Sequence, residues 1–241
     1  MPVNISVPSL GSKFQDYRDG IRGDSYNWGP AINAAQVRYF AFHHSVTPQT
    51  AKADGDWKRE CDKIANLHID GRRWAGVGYR FIIASEGTVA YVGDLSRGGS
   101  AVAGNNHIIF SACLIGDFTR ELPTASQVHS AHLLAKHFLT QMPQYPLLDG
   151  WDDVIGHGDT YTLLKLPGAT PTECPGSNWR AAGDSLRDRI VSDRWAGYPN
   201  PQPLAPAPVP TPQPQPPPVT IPCPEKAVLD KIKQVIAESE T

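Results

Sequence analysis

Half of the residues from Pro199 to Pro224 are proline. Proline has no backbone N–H and a fixed φ, so a stretch of this density joins neither a helix nor a sheet ladder. It extends as polyproline II, at roughly 3.1 Å per residue. Whatever core this 241-residue chain builds must therefore come from the residues before about Tyr198. That length suits one domain of ordinary size. Four segments follow: an irregular lead-in over 1–36, a folded domain over 37–197, a spacer over 198–224, and a short tail over 225–241. The tail carries Val228, Leu229, Ile232, Val235 and Ile236 on one helical face. An isolated helix this short is marginal in water, so it must pack on a copy of itself, on the folded domain, or on another partner.

Within 37–197 the apolar pattern alternates between strand and helix signals. Val37 to Phe42 is an apolar, aromatic-rich run of strand length that ends at His43. Trp57, Cys61, Ile64 and Leu67 recur at helical spacing over Asp56 to His68. The runs Gly78 to Ala84 and Thr88 to Val92 flank Ser85-Glu86-Gly87 and predict a hairpin. Ile108 to Ile115 reads as another strand. Thr124, with Gln127 three residues later, predicts a capping box that opens a helix reaching about Thr140. A final helix is expected after Ser177, with Trp179, Ala182, Leu186 and Ile190 inward. Strands interleaved with helices predict a single α/β domain with a central mixed β-sheet flanked by helices.

A net charge of −2 argues against a nucleic acid or an anionic membrane surface as partner. No apolar run reaches the roughly 20 residues that span a bilayer. Met1 to Gly11 has no basic segment followed by an apolar core, which predicts a chain made in the cytoplasm without a signal peptide. The cysteines at 61, 113, 174 and 223 do not form the framework of a small secreted domain, and Cys61 and Cys113 are expected as buried apolar residues.

Two histidines and the remaining cysteine carry the chemical signal. Phe42-His43-His44-Ser45 is matched downstream by Gly156-His157-Gly158-Asp159 and by Glu173-Cys174-Pro175-Gly176. Imidazole nitrogen and thiolate sulfur are preferred zinc ligands, and three of them leave a fourth position open for chemistry. Taken singly, a buried histidine or cysteine is more often a packed core residue. With Gly76-Val77-Gly78-Tyr79-Arg80-Phe81-Ile82-Ile83 and Ser111-Ala112-Cys113-Leu114-Ile115-Gly116-Asp117-Phe118 between them, however, these segments resemble the type 2 N-acetylmuramoyl-L-alanine amidases. That family includes short phage endolysins and the animal peptidoglycan recognition proteins. The resemblance runs in order from about Val37 to about Val191.

The resemblance implies a Zn²⁺ ion held by His43, His157 and Cys174. It also implies hydrolysis of the amide between the N-acetylmuramic acid lactyl group and L-alanine of bacterial peptidoglycan. Alternation along a strand lets only one of His43 and His44 be a ligand, and the family pattern selects His43, leaving His44 to pack or hydrogen-bond. Tyr79 matches the family's phenol beside the zinc, and Thr172 stands where relatives have Lys or Thr, so both are expected in the oxyanion's surroundings. Where one branch has a general-base glutamate this chain has Cys113, and where relatives often have a histidine it has Ala101. Tyr161, Leu163, Leu164 and Leu166 are expected along a groove wall. His129, His132 and Lys136 are expected on a solvated helix face.

Without a signal peptide, a wall-cutting enzyme is expected to be a phage lysin that accumulates in the host and reaches the cell wall after release. Two other readings compete: a non-catalytic peptidoglycan-binding module, and an amidase attached to a larger assembly, or to itself, through residues 225–241.

Overall fold

The computed structural model describes residues 2–47, 56–182 and 184–194. The proline-rich spacer and the tail lie outside the described residues, as does Cys223.

A six-stranded mixed sheet forms the centre. Its strands are β1 (Phe14–Asp16), β2 (Tyr39–His44), β3 (Phe81–Ile83), β4 (Val89–Tyr91), β5 (Ile109–Leu114) and β6 (Val154–Gly156). Their order is β1-β4-β3-β5-β2-β6, with β3 and β4 antiparallel and every other neighbouring pair parallel. The antiparallel pair is the expected hairpin, turned at Gly87, whose φ of +90° a residue with a Cβ rarely adopts. Strand β1 falls inside the lead-in expected to be irregular. Three residues are too few to show an alternating pattern, and pairing with β4 rather than local sequence makes them a strand.

All six residues of β2 are buried, as befits a central parallel strand covered on both faces. Phe40 and Phe42 point into a layer with Phe81, Phe110 and α2 (Ala125–Gln141), whose Leu134 and Phe138 close over them. Thr124 and Gln127 form the capping box that starts α2. The opposite face packs Ile82 and Cys113 against Cys61 and Ile64 of α1 (Trp57–Asn66). Cys61 and Cys113 are fully buried free thiols.

Three local expectations are corrected. The final helix, α4 (Leu186–Ser192), begins at the Ser185 cap, well after Ser177. Ahead of it the chain is irregular, so Trp179 is buried from a loop while Ala182 is exposed. His132 is buried rather than solvated: its Nδ1 lies 2.7 Å from the Ile190 carbonyl oxygen, and its ring stacks on Trp151. Leu67, on the apolar spacing of α1, is 48% exposed at the mouth of the cavity described below, because the helix widens into a π-turn over Leu67–Gly71. Among the described residues no helix is long and apolar enough to cross a membrane.

Candidate metal centre

The carboxyl ends of β2 and β6 lie side by side, at the edge of a parallel sheet where ligands commonly bind. Phe42 pairs with Gly156, so His43 and His157 come level, and the His157 N–H donates to the Phe42 carbonyl at 3.1 Å. Their rings lie 4.6 Å apart. Cys174 arrives on a separate loop, which the Gly158 N–H ties down by donating to the Cys174 carbonyl at 2.7 Å. A side chain at Gly156 would not fit, since its Cβ would stand 2.6 Å from the Trp179 indole nitrogen and 2.7 Å from Pro175.

One ligand atom from each of His43, His157 and Cys174 lies within 4.8 Å of the others. His43 Nδ1 and Cys174 Sγ are 3.5 Å apart. A tetrahedral zinc with N and S bonds of about 2.0–2.1 and 2.3 Å spans an N···S edge of roughly 3.6 Å, so this donor set fits the ion.

Burial sets the protonation of the three groups. It pushes His43 well below the ordinary imidazole range, helped by His157 and then His44, and it lowers His157 to about 4. It also pushes the Cys174 thiol up to about 12. Without a cation both imidazoles are therefore neutral at pH 7, with lone pairs free, while the thiol keeps its proton.

The three groups open onto a cavity of about 240 Å³ lined also by His68, Arg72, Trp74, Tyr79, Ser100 and Thr172. No carboxylate of the described residues lines it. The Tyr79 ring sits 5.1 Å from that of His43, with the Cys113 thiol near its hydroxyl. Burial holds that phenol well above its ordinary range, so it stays protonated. Thr172 Oγ1 accepts from the Cys174 N–H at 3.2 Å, which leaves its own hydroxyl proton free to donate. His44 faces away from the two other donors, its Nδ1 accepting from the Phe118 N–H at 3.1 Å.

Tyr161, Leu163, Leu164 and Leu166 do not line the cavity. Tyr161 and Leu163 are exposed, and Leu164 and Leu166 pack beside Tyr39, Ala41 and Ile155. His68 carries no functional signal in the sequence. It leaves α1 in the π-turn, lies between the tilted rings of Trp74 and Tyr79, accepts from the Gly78 N–H, and is lowered to about 4 by burial and Arg72. No spacing rule marks it, since it is an irregular turn that brings Trp74, Gly78 and Tyr79 back over it.

The sequence profile described as N-acetylmuramoyl-L-alanine amidase matches residues 33–177, more than half of the chain. The chain belongs to this amidase family. Among curated relatives, peptidoglycan-recognition protein 2 of Holotrichia diomphalia is 26% identical over 141 residues, 58% of this chain and 68% of that protein. The N-acetylmuramoyl-L-alanine amidase of Sus scrofa is 25% identical over 157 residues, 63% of this chain but only 23% of its own length. Two solved structures share the amidase-family fold. Drosophila PGRP-LB superposes with a TM-score of 0.54 at 21% identity, covering 75% of this chain and 91% of that one. Peptidoglycan recognition protein-LE, in complex with tracheal cytotoxin, a monomeric diaminopimelic acid-type peptidoglycan, gives 0.54 at 20% identity, covering 68% and 88%.

Proposed function

We propose that this member of the amidase family is a zinc-dependent N-acetylmuramoyl-L-alanine amidase that cuts the amide between the muramoyl lactyl group and L-alanine of peptidoglycan. The observation that carries the reading is the convergence of His43, His157 and Cys174 within 4.8 Å at the mouth of a cavity. Zn²⁺ held by these three would activate water toward the carbonyl carbon and polarise the carbonyl oxygen.

The chain's own residues supply the rest. Hydrolysis adds water across the C–N bond, leaving a lactyl carboxylate and a free L-alanyl amine. Charge builds on the carbonyl oxygen as the bond is attacked, and the presence of the Tyr79 phenol and the Thr172 hydroxyl in the cavity lining supports assigning them as its donors. Among the described residues no carboxylate lines the cavity, so the oxyanion's support in this reading comes from hydroxyls rather than from a charged group. Arg72, with its guanidinium 5.1 Å from the centre of the Trp74 ring, gives the cavity a positive rim suited to a carboxylate-bearing stem peptide.

The test is zinc stoichiometry together with release of amino termini from purified peptidoglycan, comparing the native chain with Cys174→Ser. One zinc per chain, with amine release abolished by the substitution, supports the enzyme. Zinc bound and wall retained without amine release in either protein would leave a recognition module instead. The lysin role is assayed separately, as loss of turbidity when the protein is added to permeabilised bacteria.

A further inference from the structure

We propose that Ser111 is a positioning residue for the metal centre, holding the His43 ring with Nδ1 turned toward Cys174 and accepting the Nε2–H that the ring carries when Nδ1 binds a cation. The inference rests on the zinc reading above and concerns a residue that touches neither substrate nor metal.

Ser111 lies in β5, paired with Ala41 of β2, while its strand-mate Cys113 pairs with His43. Alternation puts Ser111, Cys113, Ala41 and His43 on one face of the sheet. Both Ser111 and His43 are 1% exposed. A hydroxyl buried this deeply, in a strand that otherwise reads Ile109, Phe110, Ala112, Cys113 and Leu114, is costly unless hydrogen-bonded. Its side-chain partner is His43 Nε2 at 3.3 Å. On the other side of the ring, His43 Nδ1 faces Cys174 Sγ at 3.5 Å.

A neutral imidazole carries one N–H and one lone pair, and a metal ligand must present the lone pair to the ion. When Nε2–H donates to Ser111 Oγ, the lone pair must reside on Nδ1, the nitrogen that faces the cluster. The opposite tautomer would put a proton where a cation has to sit. The same bond fixes the rotation of the ring, so Ser111 sets the direction of the donor and satisfies the N–H on its far side. Nothing else among the described side chains is hydrogen-bonded to that nitrogen.

The test is zinc affinity of the full chain, measured by competition with a chromophoric chelator, for the native protein, Ser111→Ala, and the isosteric pair Ser111→Thr and Ser111→Val. Removing such a partner typically weakens metal binding about 10- to 100-fold. That loss is expected for Ala and Val but not for Thr, with the visible bands of the Co²⁺-substituted protein shifted in Ala and Val alone. Melting of the metal-free Ala and Val variants reads separately the stability lost when the buried His43 Nε2 goes without a partner, so that affinity is compared on folded protein. Wild-type affinity in Ser111→Ala, or equal loss in Thr and Val, would overturn the inference and leave the zinc reading intact. A native chain that binds no zinc would overturn both.

Discussion

The indole N–H of Trp179 donates to the Asp159 carboxylate at 2.7 Å, and this bond joins the two stretches of chain that carry His157 and Cys174. The same carboxylate, 3% exposed, accepts from the Gly156 N–H at 2.8 Å and from Arg180 Nε and Nη2 at 2.6 and 2.9 Å. Asp159→Ala leaves a buried indole N–H and a backbone N–H without a partner. A loss of about 3 kcal/mol is expected in chemical denaturation of the metal-free protein, with zinc affinity falling alongside. Trp179→Phe, which removes a single donor, should cost less. Equal stability of Asp159→Ala and the native chain would show that the junction is not where the site is held.

Chelation should lower the melting temperature of the native protein and leave that of Cys174→Ser almost unmoved. A ligand that binds only the folded state at a hundred times its Kd adds about 2.7 kcal/mol. A calorimetric scan with and without chelator reads this directly, and an equal shift in both proteins would place the metal elsewhere.

Zinc uptake at pH 7 should release one proton per chain. His157, lowered to about 4, and His43, lower than its ordinary value, are already neutral there, so the thiol of Cys174, raised to about 12, is the one group with a proton to lose. Affinity therefore climbs roughly tenfold per pH unit from pH 6 to pH 9. Titration calorimetry in buffers of different ionisation enthalpy counts the protons, and a count of two or more would mean charged imidazoles.

Metal-free protein should lose stability as pH falls from about 6.5 to about 4. His68 and His157 are both lowered to about 4, against an ordinary value of 6.5, so in that window the unfolded chain takes up protons that the folded chain refuses. Above 6.5 neither state is protonated at these sites, and their contribution is constant. His68→Gln, which keeps an acceptor for the Gly78 N–H, should flatten the acid limb of a melting-temperature profile.

Tyr79→Phe should cut kcat by 10²- to 10³-fold, the usual cost of an oxyanion donor, with zinc content and KM little changed. A fall in zinc content instead would make the phenol a structural partner of the His43 ring.

Much of this architecture was legible in the sequence because it is locally encoded. The apolar run ending at His43 became β2, and the spacing of Thr124 and Gln127 fixed the start of α2. The approach of His157 to His43 is a matter of strand order, which no spacing rule contains, and the family resemblance supplied what periodicity lacked. Ser111 and His68 escaped for the same reason: a serine in an apolar strand and a histidine past a helix end take on meaning only from what crosses them. Strand β1 and the burial of His132 likewise depend on partners far away in the chain, Val89 to Tyr91 for one and Ile190 for the other.

Strand β2 divides its labour by parity. The even residues Phe40 and Phe42 belong to the layer beneath α2, whereas Tyr39, Ala41 and His43 look toward the opposite side, where His43 meets His157 and Cys174. Substitutions can therefore drift on one side of this single strand without touching the other. A tougher variant is best sought among the aromatic contacts under α2, and a variant with altered chemistry among the residues one position out of step.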